Sequence, residues 1–221
     1  MTTTAQIEKQ RFNMIEQQIR PWDVLDASVL ALLSAVKREK FLPAEQQTHA
    51  FVDMEAPLPG GQSMLSPKVE ARALQDLKIQ KHEKVLEIGS GSGYMAALLG
   101  AFAQSVLSLE ILPELATLAR KNLRDAGVHN VEVRQADGSQ GAASDGPFDV
   151  IVLSGSVASV PEVLKSQLKV GGRLFAIVGQ DPVMQAQFIT RTSSTSYQSA
   201  TPWDSVAPRL ANFPEPSKFQ F

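Results

Sequence analysis

Three glycines at alternate positions, Gly89, Gly91 and Gly93, separate an apolar run from a helix-like run in the stretch VLEIGSGSGYMAALLG. A turn from strand to helix favours glycine where the backbone must approach a ligand closely, because glycine has no Cβ. The N-terminus of the following helix adds free N–H groups and the positive end of the helix dipole. The turn therefore predicts a ligand-binding loop.

Acidic residues follow the next two predicted strands. Glu110 ends the second strand, where a carboxylate can accept hydrogen bonds from both hydroxyls of a ribose, and Asp137 follows the third strand. A dinucleotide fingerprint, G-x-G-x-x-G, has its third glycine where this sequence has Tyr94. The combination indicates an adenosyl ligand without a pyrophosphate. The alternative cofactor class is that of a nicotinamide dehydrogenase, but this sequence lacks the third glycine of the dinucleotide fingerprint.

The elements that position these residues alternate from Lys84 onward. Short apolar runs predict five strands, namely KVLEIG, SVLSLE, VEVRQAD, FDVIVLSG and GGRLFAIVG, and amphipathic runs predict the helices YMAALLGAFA, PELATLARKNLRDAG and PEVLKSQL. This alternation favours an α/β fold, a mostly parallel, doubly wound sheet with helices on both faces. In such a sheet, ligands bind beyond the carboxyl ends of the strands. The last forty residues are expected to supply one or two closing strands.

The chain before residue 81 does not show this alternation of strands and helices. Apolar residues recur at helical spacing from Ile7 to Gln47 and predict two or three helices, and the stretch AFVDMEAPLPGGQSMLSP then predicts an irregular loop. Ser66 and Pro67 suit the N-cap and the first position of the next helix. We therefore predict an N-terminal helical lid and substrate loop over residues 1–80 and a cofactor-binding core over residues 81–221.

Composition excludes several classes of function. Lys and Arg total 21 against 23 Asp and Glu, so the net charge of −2 disfavours a nucleic-acid partner. Cysteine is absent and the three histidines lie far apart, which predicts no metal site. No signal peptide or long apolar run stands out, so no membrane association and a cytoplasmic location are expected.

At these residues the sequence resembles the class I S-adenosylmethionine-dependent methyltransferases, and more closely the protein-L-isoaspartate O-methyltransferase family. The resemblance runs from Arg11 to about Gly179 and includes MIEQQIR, REKFLP, PLPGGQ, VLEIGSGSGYMAALLG, the ADG that ends at Gly138, FDVIVLSG and LKVGGRL. It implies a Rossmann-like class I fold. It also implies S-adenosyl-L-methionine as cofactor, with S-adenosyl-L-homocysteine as product, and methylation of a carboxylate on a protein or peptide. The expected assembly is a monomer or weak homodimer.

The resemblance assigns cofactor contacts residue by residue. Glu110 would bind the ribose diol, Asp137 the adenine amino group, and the backbone of the glycine turn the methionine part. The full predicted cofactor-binding set is Glu87, Gly89, Ser90, Gly91, Gly93, Glu110, Ile111, Asp137 and Gly138.

The sequence departs from the family in the loop before the first core helix. The family pattern G-Q-T-I-S-x-P aligns with Gly61 to Pro67 and puts Leu65 where a serine is expected beside the acceptor. Ser63 and Ser66 are therefore the candidate catalytic residues, although Ser66 also suits a helix cap. Leu65 keeps two alternatives open. One is a small-molecule methyltransferase, and the other is an inactive cofactor-binding relative.

Overall fold

A seven-stranded sheet forms the centre of the molecule in a computed structural model that describes residues 3–216. The strands of the sheet are β3 (Lys84–Ile88), β4 (Ser105–Glu110), β5 (Val131–Gln135), β6 (Phe148–Val157), β7 (Leu168–Gln180), β8 (Val183–Arg191) and β9 (Tyr197–Asp204), and the hairpin strands β1 (Ala56–Pro57) and β2 (Ser63–Met64) lie outside it. The order across the sheet is β5-β4-β3-β6-β7-β8-β9, parallel from β5 to β7 and antiparallel thereafter. The predicted parallel sheet is confirmed, and β8 and β9 are its closing strands.

The strand order reverses between β3 and β6. From β3 the chain continues to β4 and β5 on one side, and it then returns to place β6 on the other side of β3. At such a switch point the connections leave in opposite directions and open a crevice beyond the carboxyl ends of the strands. The glycine turn that follows Ile88 lies in this crevice.

Alternate residues of each central strand face opposite sides of the sheet. Val85 and Val106 belong to a large apolar cluster on one face, whereas Leu86 and Leu107 belong to a smaller cluster on the other. This alternation follows from the two-residue period of a strand, and it makes both faces of the central strands apolar. The helices that flank the sheet are α3 (Pro67–Leu77), α4 (Tyr94–Phe102), α5 (Pro113–Asp125) and the short α6 (Glu162–Ser166). Helices α3 to α5 contribute to the larger cluster, and Leu164 of α6 belongs to the smaller one.

The N-terminal region is helical, as predicted. It contains α1 (Thr4–Met14), a π-helical turn that follows directly, and α2 (Ala27–Ala35). The buried side chains of this region lie in the same apolar cluster as α3, α4 and α5. Trp22 packs edge-to-face on Trp203 at 5.5 Å between ring centroids, so each tryptophan has a packing role. The division at residue 80 stays a prediction.

The segment predicted as an irregular loop is ordered by a small hairpin. Ala56 pairs with Met64 and Pro57 with Ser63, and the turn between these pairs contains Pro59–Gly61. The hairpin holds Ser63 beside the sheet edge where the glycine turn lies. Within residues 3–216, no helix combines the length and the apolar character that a membrane span requires. Residues 217–221 of the C-terminal PEPSKFQF lie outside the described residues.

Candidate active site

A cleft opens at the carboxyl ends of β3, β4, β5 and β6. It encloses about 780 Å³, including space that is open to solvent. The cleft is lined by residues from six parts of the chain: Gln62 and Ser63; Ile88, Gly89 and Gly91; Leu109 to Leu112 with Leu115; Ala136 to Gly138; Ser154; and Pro208 to Ala211 with Phe213.

The glycine turn has a left-handed backbone at each of its three glycines. Gly89, Gly91 and Gly93 have φ values of +92°, +52° and +86°, a region that side chains with a Cβ rarely adopt. Gly89 and Gly91 line the cleft, whereas Gly93 packs against α5, where an added Cβ would lie 3.2 Å from the Ala119 backbone. Two of the three glycines therefore present backbone to a ligand, and the third allows α4 and α5 to approach each other.

Glu110 faces the cleft from the end of β4. Its carboxylate accepts hydrogen bonds from the backbone N–H of Gly91 at 2.8 Å and of Leu112 at 3.0 Å, and the residue is only 5% exposed. Each carboxylate oxygen has two acceptor sites, so both oxygens keep capacity for a ligand hydroxyl. The two backbone contacts hold the side chain against the glycine turn, in the position that the sequence predicted for a ribose contact.

Asp137 lies at the end of β5 and caps a short helical turn. One oxygen accepts from the N–H of Ser139 at 2.9 Å, and the other accepts from the amide of Asn212 at 2.8 Å. These contacts, the Ser139 backbone first, hold the pKa of the Asp137 carboxyl below its ordinary value. The carboxylate is therefore ionised near neutral pH and can accept a further hydrogen bond.

Gly138 leaves no room for a side chain. A Cβ at this position would lie 2.4 Å from Cγ2 of Ile88, which also lines the cleft. This close packing keeps the backbone after Asp137 next to Ile88 at the end of β3. An adenosyl group fits this arrangement because its flat base needs bare backbone beside it and its ribose and amino group need acceptors at the edge. Ile111, the remaining predicted contact on this side, also lines the cleft.

Glu87 and Ser90 are buried and do not contribute to the wall of the cleft. Glu87 accepts hydrogen bonds from Ser108 at 2.5 Å and from Ser154 at 2.8 Å, and the Ser90 hydroxyl lies 2.5 Å from that of Ser108. Of these four residues only Ser154 lines the cleft. Burial raises the pKa of Glu87 to about 8, against the lowering effect of its two serine donors, and the charges of Glu110 and Glu70 raise it further. The side chain is therefore neutral at pH 7. A direct cofactor contact by Glu87 or Ser90 stays a prediction.

Replacing Glu87 by glutamine should stabilise the protein at alkaline pH. The unfolded chain loses the Glu87 proton near pH 4.5, whereas the folded protein keeps it to about pH 8. The free energy of unfolding contributed by this residue therefore falls as pH rises through that window and is constant above it. Glutamine resembles the protonated acid, so E87Q should match the wild type at pH 4.5 and exceed it by on the order of 4 kcal/mol at pH 8. Urea unfolding across this pH range measures the difference, and a gap that does not grow with pH would contradict it.

The two candidate catalytic serines lie in different environments. Ser63 lines the cleft. Ser66 does not line it and occupies the N-cap position of α3, with Pro67 as the first helical residue, but its side chain makes no capping hydrogen bond. A substrate contact by either residue stays a prediction, and the geometry favours Ser63 over Ser66.

Leu65 belongs to the apolar core. It is 5% exposed, does not line the cleft, and its carbonyl accepts a hydrogen bond of 2.7 Å from Arg38. Leu65 therefore does not make the cleft more apolar, as the small-molecule alternative required. Its side chain packs in the core instead.

Replacing Leu65 by serine should lower stability without improving catalysis. The variant loses buried apolar surface and buries a hydroxyl, so the free energy of unfolding should fall by about 2–4 kcal/mol. Any methyl-transfer activity should stay within about threefold of the wild type at a temperature where both are folded. Leu65→Met, which conserves volume, is the matched control and should cost less than about 1.5 kcal/mol. A tenfold change in transfer at wild-type stability would place position 65 in the acceptor site after all.

The C-terminal segment supplies wall residues that sequence reasoning missed. Pro208 to Ala211 and Phe213 line the cleft, and Asn212 holds Asp137. The letters APRLANF show no helical or strand periodicity, so no local pattern marks them as part of a site. Their contribution arises from contacts with remote residues, among them Asp137, Ser156 and Gly179.

Known proteins resemble this chain over most of its length. The family described as Protein-L-isoaspartate(D-aspartate) O-methyltransferase (PCMT) matches residues 9–205. The protein-L-isoaspartate O-methyltransferase of Koribacter versatilis is 40% identical over 188 residues, 85% of this chain and 84% of that protein. That of Methanoculleus marisnigri is 42% identical over 171 residues, 77% and 78% of the two chains.

Solved structures share the fold. A Plasmodium falciparum crystal structure assigned to the same activity and containing S-adenosyl-L-homocysteine superposes with a TM-score of 0.74 at 19% identity, over 92% of this chain and 97% of that one. A second structure of a protein-L-isoaspartate O-methyltransferase gives 0.75 at 22% identity, over 91% of this chain and 65% of that one. These likenesses show the class I methyltransferase architecture. With the family match across most of its length, the chain belongs to the protein-L-isoaspartate(D-aspartate) O-methyltransferase family.

Proposed function

We propose that this chain transfers a methyl group from S-adenosyl-L-methionine to the carboxylate of L-isoaspartyl residues in proteins or peptides, a reaction that initiates repair of damaged proteins. The observation that carries the proposal is the cleft in which Glu110 and Asp137 flank a glycine turn with exposed backbone. Membership of the family supports the choice of cofactor and acceptor. Leu65 is buried in the core and does not line the cleft, so it does not favour a small-molecule methyltransferase, and the assay below separates an active enzyme from an inactive relative.

The residues of the cleft would act by binding and alignment. Glu110 and Asp137 would hold the ribose and the adenine, and Gly89 and Gly91 would let the backbone lie against the ligand. The cofactor, when bound, supplies a methyl group on a sulfonium, which is already an activated electrophile. An ionised acceptor carboxylate needs no base at neutral pH. Positioning of the acceptor therefore remains as the main task of the protein, and alignment alone can lower a barrier by several kcal/mol.

The C-terminal segment would keep water out of the cleft. Leu210 approaches the glycine turn so closely that a Cβ on Gly89 would lie 3.0 Å from its Cδ2. Pro208 and Phe213 add apolar surface to the same wall. An apolar wall lowers the local dielectric and strengthens the electrostatic contacts inside the cleft.

The test is incubation of the protein with an isoaspartyl peptide and S-adenosyl-L-methionine labelled on the methyl group. We expect a base-labile methyl ester on this peptide and none above background on the same peptide with an ordinary aspartyl residue. Calorimetry with S-adenosyl-L-homocysteine measures cofactor binding separately. Binding without ester would contradict the proposed acceptor, and absence of binding would contradict the whole proposal.

We further propose a cytoplasmic location and a monomer or weak homodimer, with no nucleic-acid partner. The balanced charge of the chain supports the last point. Sedimentation at several protein concentrations tests the assembly state, and a stable higher oligomer would contradict it.

A further inference from the structure

The C-terminal segment 207–213, the strap, runs along the cleft from the end of β6 to Asp137 and turns at residues 211–212. The N–H of Ser156 donates to Pro208 at 2.7 Å, and the N–H of Leu210 donates to Ser156 at 2.9 Å, which fixes the start of the strap beside β6. Its other end is fixed where Asn212 donates to Asp137. Arg209 therefore lies at the end of the strap that is remote from Asp137, the proposed adenine contact.

The Arg209 guanidinium is held in place but has spare donors. Nη2 donates to the carbonyl of Gly179 at 2.9 Å, and Nε forms an ion pair of 2.9 Å with Glu215. Nη1 is buried and has no hydrogen-bond partner among the described residues. A guanidinium presents five N–H donors in a planar fork that matches a carboxylate. The side chain is 30% exposed, so the Nε edge that now holds Glu215 is the part that an anionic group can reach once Glu215 leaves.

The fixed charges that line the cleft are mainly acidic. Glu110 and Asp137 are both acidic, and Arg209 is the one cationic residue among the described residues that line the cleft. The sulfonium of the bound cofactor attracts an acceptor carboxylate, and a fixed cation of the protein adds to this attraction against the repulsion of the two acids. Position 65, where the family pattern has a serine, contributes nothing to the cleft. Recognition of the anionic acceptor therefore falls to other residues of the cleft, and Arg209 is the one with a positive charge.

We propose that Arg209 binds the acceptor carboxylate, and that Glu215 occupies the guanidinium until the acceptor displaces it. This inference rests on the proposed function. One carboxylate oxygen on the guanidinium leaves the other oxygen free to face the methyl group. Glu215 is half exposed, so its ion pair is weak enough to exchange with a better-placed carboxylate. Arg209 is thus a residue that determines specificity for an acidic acceptor.

The test compares Arg209→Gln, Arg209→Lys and Glu215→Gln with a matched control, Arg124→Gln. Arg124 lies on α5 with its side chain 77% exposed, so its replacement changes the net charge equally without touching the cleft. We expect R209Q to raise KM for an isoaspartyl peptide at least tenfold, R209K to raise it less, and E215Q to lower it about twofold or more. The Kd for S-adenosyl-L-homocysteine should stay within twofold of the wild type in all four variants.

Two results would overturn the inference while leaving the proposed function intact. One is a KM for R209Q equal to that of R124Q. The other is a loss of S-adenosyl-L-homocysteine affinity in R209Q as large as the rise in KM, since Arg209 would then hold the carboxylate of the cofactor. Circular-dichroism melting confirms that each variant is folded.

Failure of the proposed function is separable from failure of this inference. If the wild type forms no ester, binding of the isoaspartyl peptide is measured by calorimetry at saturating S-adenosyl-L-homocysteine. Binding that is lost in R209Q and kept in R124Q would support the role of Arg209 as a carboxylate receptor. Binding equal in both variants, or absent from the wild type, would overturn it.

Discussion

Replacing Glu110 by glutamine should weaken binding of S-adenosyl-L-homocysteine about 100-fold. The carboxylate faces the cleft from the end of β4 and is the proposed acceptor for two ribose hydroxyls. Hydrogen bonds to a charged group contribute about 1.5–3 kcal/mol each, so a loss near 2.7 kcal/mol, equivalent to 100-fold, is a conservative expectation. The wild-type carboxylate accepts a hydrogen bond from the backbone N–H of both Gly91 and Leu112. The glutamine side chain has one acceptor oxygen, so its N–H₂ group faces one of these two donors and leaves it unpaired.

Glu114→Gln is the control for this prediction. Glu114 lies in the first turn of α5 and is exposed, so its replacement removes the same charge close by without reaching the cleft. Calorimetry should give E114Q an affinity within about twofold of the wild type. If E110Q binds as tightly as E114Q, the ribose contact assigned to Glu110 is wrong. Thermal melting without ligand shows whether E110Q also loosens the glycine turn.

Replacing Arg38 by methionine should cost about 3–5 kcal/mol of unfolding free energy at pH 8. Arg38 and Glu70 form an ion pair with side chains 1% and 2% exposed, and removal of one partner leaves a buried charge without compensation. The guanidinium also lies 5.1 Å from the ring centroid of Tyr94 and donates to the carbonyl of Leu65. The variant therefore loosens the contact between the N-terminal region, the substrate loop and α4.

The loss of unfolding free energy in R38M should be larger at pH 8 than at pH 5. Burial raises the pKa of Glu70 to about 7, even though Arg38 lowers it. Without Arg38 the carboxyl keeps its proton to a higher pH, so R38M unfolds with a smaller penalty at pH 5, where Glu70 is neutral, than at pH 8. Urea unfolding at both pH values measures the difference.

The double variant Arg38→Met, Glu70→Leu should recover most of the lost stability. Two apolar side chains of similar volume replace a buried ion pair at little net cost in many proteins. Arg124→Met is the exposed control and should change the unfolding free energy by less than about 0.5 kcal/mol. A double variant as unstable as R38M would show that the hydrogen bond to Leu65, and not the uncompensated charge, dominates the effect.

Local sequence patterns were sufficient to predict the glycine turn and the two acidic residues of the cleft. The positions of Gly89 and Gly91, and of Glu110 and Asp137 at strand ends, follow from periodicity and turn chemistry, because each depends on residues a few places away. The parallel sheet follows from the alternation of strands and helices. The structure brings these four residues to one cleft, as predicted.

Other features depend on contacts between distant segments. Leu65 occupies the serine position of a family motif, yet whether it faces the acceptor was decided by the hairpin and by Arg38. Likewise, Glu87 and Ser90 belong to the glycine motif, but the neighbouring strands β4 and β6 bury them beside Ser108 and Ser154.

By itself, the sequence determined the class of fold, the glycine turn and the two acids that flank it, since these are properties of short segments. Only the tertiary structure decided which side chains share the cleft. Arg209 and Asn212 lie in a segment without periodicity, and their positions follow from the pairing of that segment with Ser156 and Asp137. A linear pattern records which residues a chain contains, but burial and charge depend on the neighbours that folding brings from remote positions.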